Sequence, residues 1–502
     1  MKVAAPPNFT TKRQARHMGR FVVPHMIWLF LSPTHTLPNT PRHVHLAYTE
    51  SAGIIITWST VNATATSVVQ YGLGSMLGHS AIGETDPLAV NDTQGRLSYH
   101  SFIHRATLQQ LVPGVSYTYR VGDAAWGWSS TRSFAYKPAS TRRAPLTILA
   151  VADMSADAVD GGHGGVAREL AREVAQRDYD MVVHAGDLAY DLHGSLSDGS
   201  SIGDAFMNDI EAIAGRVPYM VSPGNHESFA NFSHFKGRFS MPYRGISHNL
   251  WWSVDIGLVH FVSYNTEAYF DGPISVTMRA QYDWLMADLS AAAAPDRRAA
   301  VPWIIAMGHR PFYCNVMSKA GTCDGEQEQS RVGPPSQEGK YSVEALFQKF
   351  GVDLALFGHV HDYTRFRPTF NHVVDITSVS TDGHTYTNPR ATTYLTIGGA
   401  GNPEMPQPPV SKCTVWDVGC TPVDWSPWAV CESGYFPKCP NFNYGRCIIH
   451  NATHLEWEQI SVTRPGASLN GTILRNASIV PGHVIDSMLL VQTKHGPFRL
   501  VA

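Results

Sequence analysis

The sequence predicts an α+β chain: a leading β-sandwich, then a larger domain in which helices cover a sheet core. Three observations carry this. Between residues 42 and 136, short apolar–polar runs recur between turn residues with no helix-period stretch among them, which is the rhythm of an all-β sandwich. From Leu146 the rhythm changes, and β-rich apolar runs alternate with segments of helical period, a pattern that sets helices against a sheet. Between the two, Lys137 to Pro145 carries prolines at 138 and 145 with Arg142-Arg143 between them and reads as a linker. The 502 residues, 43% hydrophobic and 16% charged, give room for about two or three domains with a substantial core.

In chain order, residues 1–37 form a signal-like or disordered segment. Lys12, Arg13, Arg16 and Arg20 precede the short apolar run Met26-Ile27-Trp28-Leu29-Phe30-Leu31, which is too short to span a bilayer. Residues 38–137 form the sandwich, with strand-like runs at His45–Tyr48, Ile54–Trp58, Ser67–Tyr71 and Tyr117–Val121. Residues 146–460 form the layered domain. Its expected strands are Leu146–Ala152, Met181–Ala185, Tyr219–Ser222, Leu258–Tyr264, Trp303–Met307 and Asp353–Phe357, and its expected helices are Gly165–Arg177, Ala205–Ala214, Arg279–Ser290 and Ser342–Phe350. A further β segment begins at Ala391, and a Pro-, Trp- and Cys-rich insert leads to Arg446–His450 and Leu455–Trp457. Residues 461–502 are weakly patterned and read as a loosely packed tail. No internal repeat is visible.

A net charge of -3 without a Lys/Arg-rich run gives no field for gathering nucleic acid or a membrane surface. All seven cysteines lie after residue 313, without the paired spacing of a zinc finger, so disulfides are the favoured reading, with one cysteine left free or paired between chains. Asn-x-Ser/Thr sequons at Asn62, Asn91, Asn231, Asn451, Asn470 and Asn476 point to a secretory route and to a secreted or lysosomal/vacuolar location.

The chemistry gathers at strand ends. In an open α/β core, side chains just past the strands project into a shared crevice where ligands bind. Asp153 follows the first strand of the layered domain. Gly186-Asp187-Leu188-Ala189-Tyr190 follows the second, Gly224-Asn225-His226-Glu227 the third, Gly308-His309-Arg310-Pro311 a later one, and Gly358-His359-Val360-His361 the last. Four of the five clusters begin with glycine, which lets the backbone turn sharply and approach an ion closely.

These five clusters, in this order, resemble the metallophosphoesterase superfamily and, within it, the long-chain, animal-type purple acid phosphatases. The resemblance covers residues 42 to about 460. It implies a fibronectin-type sandwich followed by a four-layer αββα domain. It further implies that Asp153, Asp187, Tyr190 and His361 bind Fe(III), that Asn225, His309 and His359 bind a divalent metal (Zn, Fe or Mn), and that Asp187 bridges the two. The donor chemistry agrees: carboxylate, phenolate and imidazole suit a hard trivalent ion, and two imidazoles with a neutral amide suit a borderline divalent one. In many relatives a histidine two residues after the first aspartate is a ligand. Here that position is Ser155, and Tyr190 fills the vacancy. His226 is expected to hydrogen-bond the phosphoryl group and to protonate the leaving alcohol.

The implied activity is acid phosphatase, a phosphoric monoester hydrolase acting on small phosphorylated substrates through a metal-bound hydroxide. The alternatives are a phosphodiesterase or nucleotide pyrophosphatase on the same scaffold, or a non-catalytic cell-surface binding protein. Ala152-Asp153-Met154-Ser155 replaces the usual Gly-Asp-x-Gly, and a modestly rearranged loop is expected. No histidine lies between Cys314 and Cys323, which in the animal type could close a small loop beside the site. Thr364 stands where a glutamate is frequent. His184, inside a strand, reads as a packed core histidine. His163, His193, His234 and His260 have no motif around them. Glu227 reads as a residue that orients loop backbone or His226, and Trp251, Trp252, Trp425 and Trp428 as packing residues.

Overall fold

A computed structural model of the chain describes residues 39–137, 145–159, 165–270, 276–313, 328–337, 339–402, 428–429, 442–462, 468–469, 472–473 and 482–499. The expectations for residues 1–37, the linker core, His163, Trp425, and the six cysteines other than Cys447 lie outside the described residues.

The N-terminal part is a two-sheet sandwich. Arg42–Tyr48, Ile54–Thr60, Leu97–Leu108 and Glu84–Asn91 form an antiparallel sheet in that order, and His79–Ile82, Val68–Leu73 and Ser116–Asp123 form the second, with Gly127–Trp128 and Arg132–Ala135 pairing on the last of these. Side chains alternate across a strand, so Val44, Leu46, Ile54, Ile56 and Trp58 lie on alternate positions and are buried. In the first two strands the intervening residues His45, Ala47, Thr57 and Ser59 are buried as well. His45 packs edge-on against Phe239, Thr57 donates to Ser240 Oγ at 2.8 Å, and Tyr48 O–H donates to the Asp180 carbonyl at 2.9 Å. Burial of this part of the sheet on both faces explains the nearly unbroken apolar run Ile54–Trp58.

The larger part contains two seven-stranded sheets. The first runs Tyr219–Ser222, Met181–Ala185, Leu146–Val151, Asn443–Ile449, His454–Ser461, Val484–Val491 and Thr385–Thr387. The second runs Trp252–Ile256, Val259–Ser263, Trp303–Met307, Leu354–Phe357, Thr393–Ile397, Tyr363–Arg365 and Trp428–Ala429. The alternation within one strand defines the layers. Ile305 and Met307 join the core shared with Leu149, Val182 and Leu455, whereas Ile304 and Ala306 join a separate core with Met278, Leu285 and Phe347 of the helices Val276–Ala292 and Val343–Phe350. The helices Val166–Gln176 and Ile202–Ala214 bury Leu170, Phe206 and Ile210 in the first core. The result is helix, sheet, sheet, helix, as the sequence predicts.

The expected strands Met181–Ala185, Tyr219–Ser222 and Trp303–Met307 are observed with those limits. Leu146–Val151 ends one residue early because the chain turns into the positive φ of Asp153. The structure adds the helix Phe229–Arg238 and the strand Trp252–Ile256, although Trp252-Ser253-Val254-Asp255-Ile256 does alternate apolar with polar residues, a strand signal left unused.

The reading of residues 461–502 as a loose tail is corrected over the described segment 482–499. Val484–Val491 is an internal strand, antiparallel to His454–Ser461 and parallel to Thr385–Thr387. Its alternate residues Asp486, Met488 and Leu490 are buried. The aspartate at the first of these positions broke the apolar pattern. It is accommodated because Arg365 grips it with two bonds of 2.7 and 3.0 Å and Tyr363 O–H donates to it at 2.7 Å.

The seam between sandwich and layered domain is polar and buried. Asp204 accepts from Arg42, Arg238 and Tyr99 at 2.9, 2.8 and 2.7 Å, and the His43 N–H donates to Glu211 at 2.9 Å. His43, His45 and His234 sit there with an Nε2 that has no hydrogen-bond partner among the described residues. Burial holds all three imidazoles neutral, His45 with a pKa pushed down to about 4 and His234 to about 3; for His45 the Arg105 charge adds to the effect, and for His234 the Arg238 charge.

Two outcomes are expected. Asp486→Ala strands the buried Arg365 and lowers unfolding free energy by about 3–5 kcal/mol, measured by urea denaturation. Because the seam histidines titrate lower when folded than the ~6.5 of the unfolded chain, the unfolded state takes up more protons below that pH. Stability is therefore full above pH ~6.5 and falls between there and about 4, by about 1.4 kcal/mol per pH unit for each such histidine; His45→Asn should flatten the slope by one such increment.

Candidate metal centre

The site lies where the ends of parallel strands from the two sheets meet. After Leu146–Val151, Asp153 adopts φ 60° and donates its N–H to the Gly186 carbonyl at 3.1 Å. Its carboxylate, fully buried, accepts the His359 N–H at 2.9 Å. After Met181–Ala185, Asp187 turns at φ 55° and accepts the His226 N–H on Oδ1 at 3.0 Å, which leaves Oδ2 facing His309 Nε2 at 3.1 Å. Glu227 fixes this turn as the sequence predicts, accepting the N–H groups of Asp187, Leu188 and Gly224 at 2.9, 2.8 and 2.8 Å.

The donor atoms form two groups that share one member. Asp153, Asp187 and His361 offer atoms within 4.8 Å of one another, and so do Asp187, His309 and His359. Tyr190 joins the first group, its O–H 3.1 Å from Asp153 Oδ1 and 3.1 Å from His361 Nε2. Asn225 joins the second, its Oδ1 3.1 Å from His309 Nε2 and 2.9 Å from His359 Nδ1. All seven residues singled out in the sequence are thus brought together. Ser155 is not part of the cluster; its hydroxyl donates to the Gly401 carbonyl at 2.6 Å.

The chemistry of the set fits metal binding. Among the described residues, the ion pairs of Asp153 and Asp187 are made with histidines alone, and buried carboxylates need cations or metals. His309 Nδ1 is 2.9 Å from the Ala185 carbonyl, so Nδ1 donates outward and Nε2 is the nitrogen turned inward, the usual outer contact of a ligating histidine. Burial acts against charge on both partners of the Asp187–His309 pair, but their mutual attraction wins, holding Asp187 well below the carboxylate range and raising His309 to about 10. Burial raises Asp153; burial, and then the neighbouring His309, lowers His359.

Glycines make room for these oxygens. A Cβ on Gly224 would stand 2.2 Å from Asp187 Oδ1, and one on Gly358 2.4 Å from Asp153 Oδ2.

Other readings are resolved individually. His184 is buried, with Nδ1 2.9 Å from Tyr219 O–H. His260 lies between Asp255 and Asp288 at 2.8 and 2.9 Å, and His193 stacks on Phe229 at 4.0 Å. Trp251 and Trp252 are core residues. Thr364 donates to Asp362 rather than supporting His361. Two neighbours of the site escaped the sequence reading. Arg310 forks onto Glu267, lies over the Phe270 ring at 4.4 Å and brings Nη1 within 3.3 Å of His359 Nε2. Asp191 meets His226 at 2.5 Å. The available signal was adjacency, since each follows a ligand candidate directly in the chain.

Two layered sheets with acid, amide and imidazole donors at their joined ends define a calcineurin-like phosphoesterase, and that family's pattern matches residues 146–363. The purple acid phosphatase N-terminal domain matches residues 41–136, and the iron/zinc purple acid phosphatase-like C-terminal pattern matches 391–473. The chain is 36% identical to acid phosphatase type 7 of Danio rerio over 91% of its own length and 92% of the fish protein, and 38% identical to that of Homo sapiens over 85% and 89%. It belongs to the purple acid phosphatase family. The fold is shared with purple acid phosphatase PPD1 from yellow lupin seeds, at a TM-score of 0.67 and 22% identity over 91% of this chain and 75% of that one.

Gly358→Ala should displace the Asp153 carboxylate and lower activity on the order of 10²-fold while the protein remains folded by circular dichroism; metal analysis of the purified variant should show one ion lost.

Proposed function

We propose that the protein is an acid phosphatase hydrolysing small phosphate monoesters at a two-cation centre. In this reading Asp153, Asp187, Tyr190 and His361 hold Fe(III), and Asp187, Asn225, His309 and His359 hold Zn, Fe or Mn as the divalent ion. The observation that carries it is the membership of Asp187 in both donor groups, which is what a bridging carboxylate requires. When bound, such a pair would supply Lewis-acid polarisation of the phosphoryl group and a more acidic water, a ferric ion more strongly than a divalent one.

The protein's own residues supply the rest. Tyr190 gives an anionic hard donor where Ser155 gives none. Asn225 contributes a neutral oxygen, so the divalent side keeps more positive charge for the substrate. His226, 17% exposed and with Nε2 3.9 Å from Asp187 Oδ2, stands where it can donate to the phosphoryl group and protonate the departing oxygen. Glu227 keeps the turns at Asp187 and Asn225 in register.

A secreted or lysosomal, glycosylated protein fits the same picture. Asn62, Asn91, Asn231 and Asn451 are exposed. Cys447 is buried and free in a central strand, which leaves an even number of cysteines for disulfides, Cys314–Cys323 among them. Among the described residues no helix is long and apolar enough to cross a membrane.

The purified protein should contain iron with a second metal, show a broad visible absorption, and hydrolyse p-nitrophenyl phosphate faster at acid than at neutral pH. Tyr190→Phe should abolish the colour and cut kcat at least ~10-fold. A colourless, fully active wild type would replace the ferric assignment with two divalent ions.

A further inference from the structure

We infer that the cavity between the sandwich and the layered domain seats the carbohydrate attached to Asn231, an assignment that rests on the secretory, glycosylated reading above. The cavity holds about 500 Å³, within the ~300–1,000 Å³ range of small-molecule sites. The sandwich supplies Asp86, Leu88, Ile103 and Arg105 to its wall, and the helix Phe229–Arg238 supplies Ser233, Lys236 and Gly237 from the other side. Ser233 is the third residue of the sequon Asn231-Phe232-Ser233. Lys236 donates to Asn231 Oδ1 at 2.9 Å. The acceptor asparagine and one wall of the cavity therefore belong to a single short segment.

The local backbone presents that asparagine outward. Ala230, Asn231 and Phe232 have φ of 48°, 57° and 61°, a left-handed run that interrupts the helical path, with Phe232 buried and Asn231 exposed. Nδ2 takes an oligosaccharide from a lipid-pyrophosphate donor: the bond between the sugar C1 and the pyrophosphate oxygen breaks, the C1–Nδ2 bond forms, and one Nδ2 proton leaves with the released pyrophosphate. The Oδ1 contact with Lys236 is compatible with this transfer, since only the nitrogen reacts.

The wall suits a sugar better than an anion. Its guanidinium groups are already engaged. Arg105 donates to Asp86 at 2.8 Å, to Ser240 Oγ at 2.9 Å and to the Gly237 carbonyl, and Arg244 donates to Asp86 at 2.8 Å and to Glu84 at 3.2 Å. These pairs compensate the positive charge that a phosphate or sulfate would need. A carboxylate has about four lone-pair sites, so Asp86 keeps acceptor capacity for hydroxyl groups. Leu88 and Ile103, buried in one small apolar cluster, give a floor for the C–H face of a ring. Carbohydrate seated there touches both domains and acts as a strap across their seam.

The test uses the full chain secreted by glycosylating eukaryotic cells. Native protein is treated with peptide N-glycosidase, which converts each glycosylated asparagine to aspartate, and the conversion is followed by peptide mass at Asn231 and at the exposed sandwich sites Asn62 and Asn91. Release at Asn231 should be at least ~10-fold slower than at the sandwich sites, because a seated sugar is cut only when its site opens. The rates should match once the protein is denatured. Gly245, also in the cavity wall, provides the control. A Cβ there meets nothing within 4 Å, so Gly245→Trp fits the fold and fills the space, and native release at Asn231 should rise to the rate at the sandwich sites. Equal rates in the native wild type, protection unchanged in Gly245→Trp, or an unmodified Asn231 in a chain glycosylated at Asn62 or Asn91 overturn the assignment. A chain with carbohydrate at none of its sequons would overturn the secretory reading on which it rests.

Discussion

Two carboxylates, Asp153 and Asp187, are enclosed at the joined ends of two sheets, with histidines as their charged partners. Concentrated negative charge in a space of low polarity is tolerated only with compensating cations. Most of what surrounds the site follows from that requirement. Imidazole nitrogens are turned inward by outer hydrogen bonds, as His309 Nε2 is by the contact of Nδ1 with the Ala185 carbonyl. Backbone N–H groups are spent on the acids, from His359 to Asp153 and from His226 to Asp187. A third acid, Glu227, is placed behind the turns, where it binds backbone rather than entering the cluster. The glycines exist on the same terms, because the space of their missing Cβ atoms is filled by carboxylate oxygens.

The layered fold converts this local requirement into a precise placement. Alternation along each buried strand assigns odd and even residues to different layers, so a strand such as Trp303–Met307 is locked between a facing sheet and a pair of helices. Once five such strands are locked, their ends are fixed to within a side chain's reach of one another. Contributions from Asp153 and His361, 208 positions apart, then meet through the Tyr190 phenol at 3.1 Å on each side. Rigidity comes from the sheets and chemical variety from the turns, which explains how a serine can stand in the first turn while a phenol from the second lies beside Asp153 and His361.

The donor set was legible in the sequence because each member sits directly after a strand in a short polar cluster, four of the five opened by glycine. The layers were legible because apolar runs and helical periods alternate. What escaped did so for identifiable reasons. The strand Val484–Val491 carries an aspartate at a buried position, and Arg365 with Tyr363, more than a hundred residues earlier, makes that acceptable. Asp191 looked like an ordinary turn residue until the His226 turn folded against it. Arg310 lay inside a recognised cluster, but its hold on Glu267 depends on a bend that no local pattern announces. Contacts between distant turns are set by tertiary packing, and a linear pattern carries no record of them.

The place of the sandwich deserves a consequence of its own. The strand Tyr219–Ser222 is the outer margin of its sheet, and margins with unpaired backbone groups invite pairing with foreign chains. In this protein the first sandwich strand runs alongside it, with the Tyr48 N–H resting on Met220 Sδ at 3.4 Å. The N-terminal module is therefore a guard as well as a neighbour. A fragment starting at the layered domain would bare a hydrophobic border, and its characteristic failure would be clumping with its own kind rather than loss of chemistry.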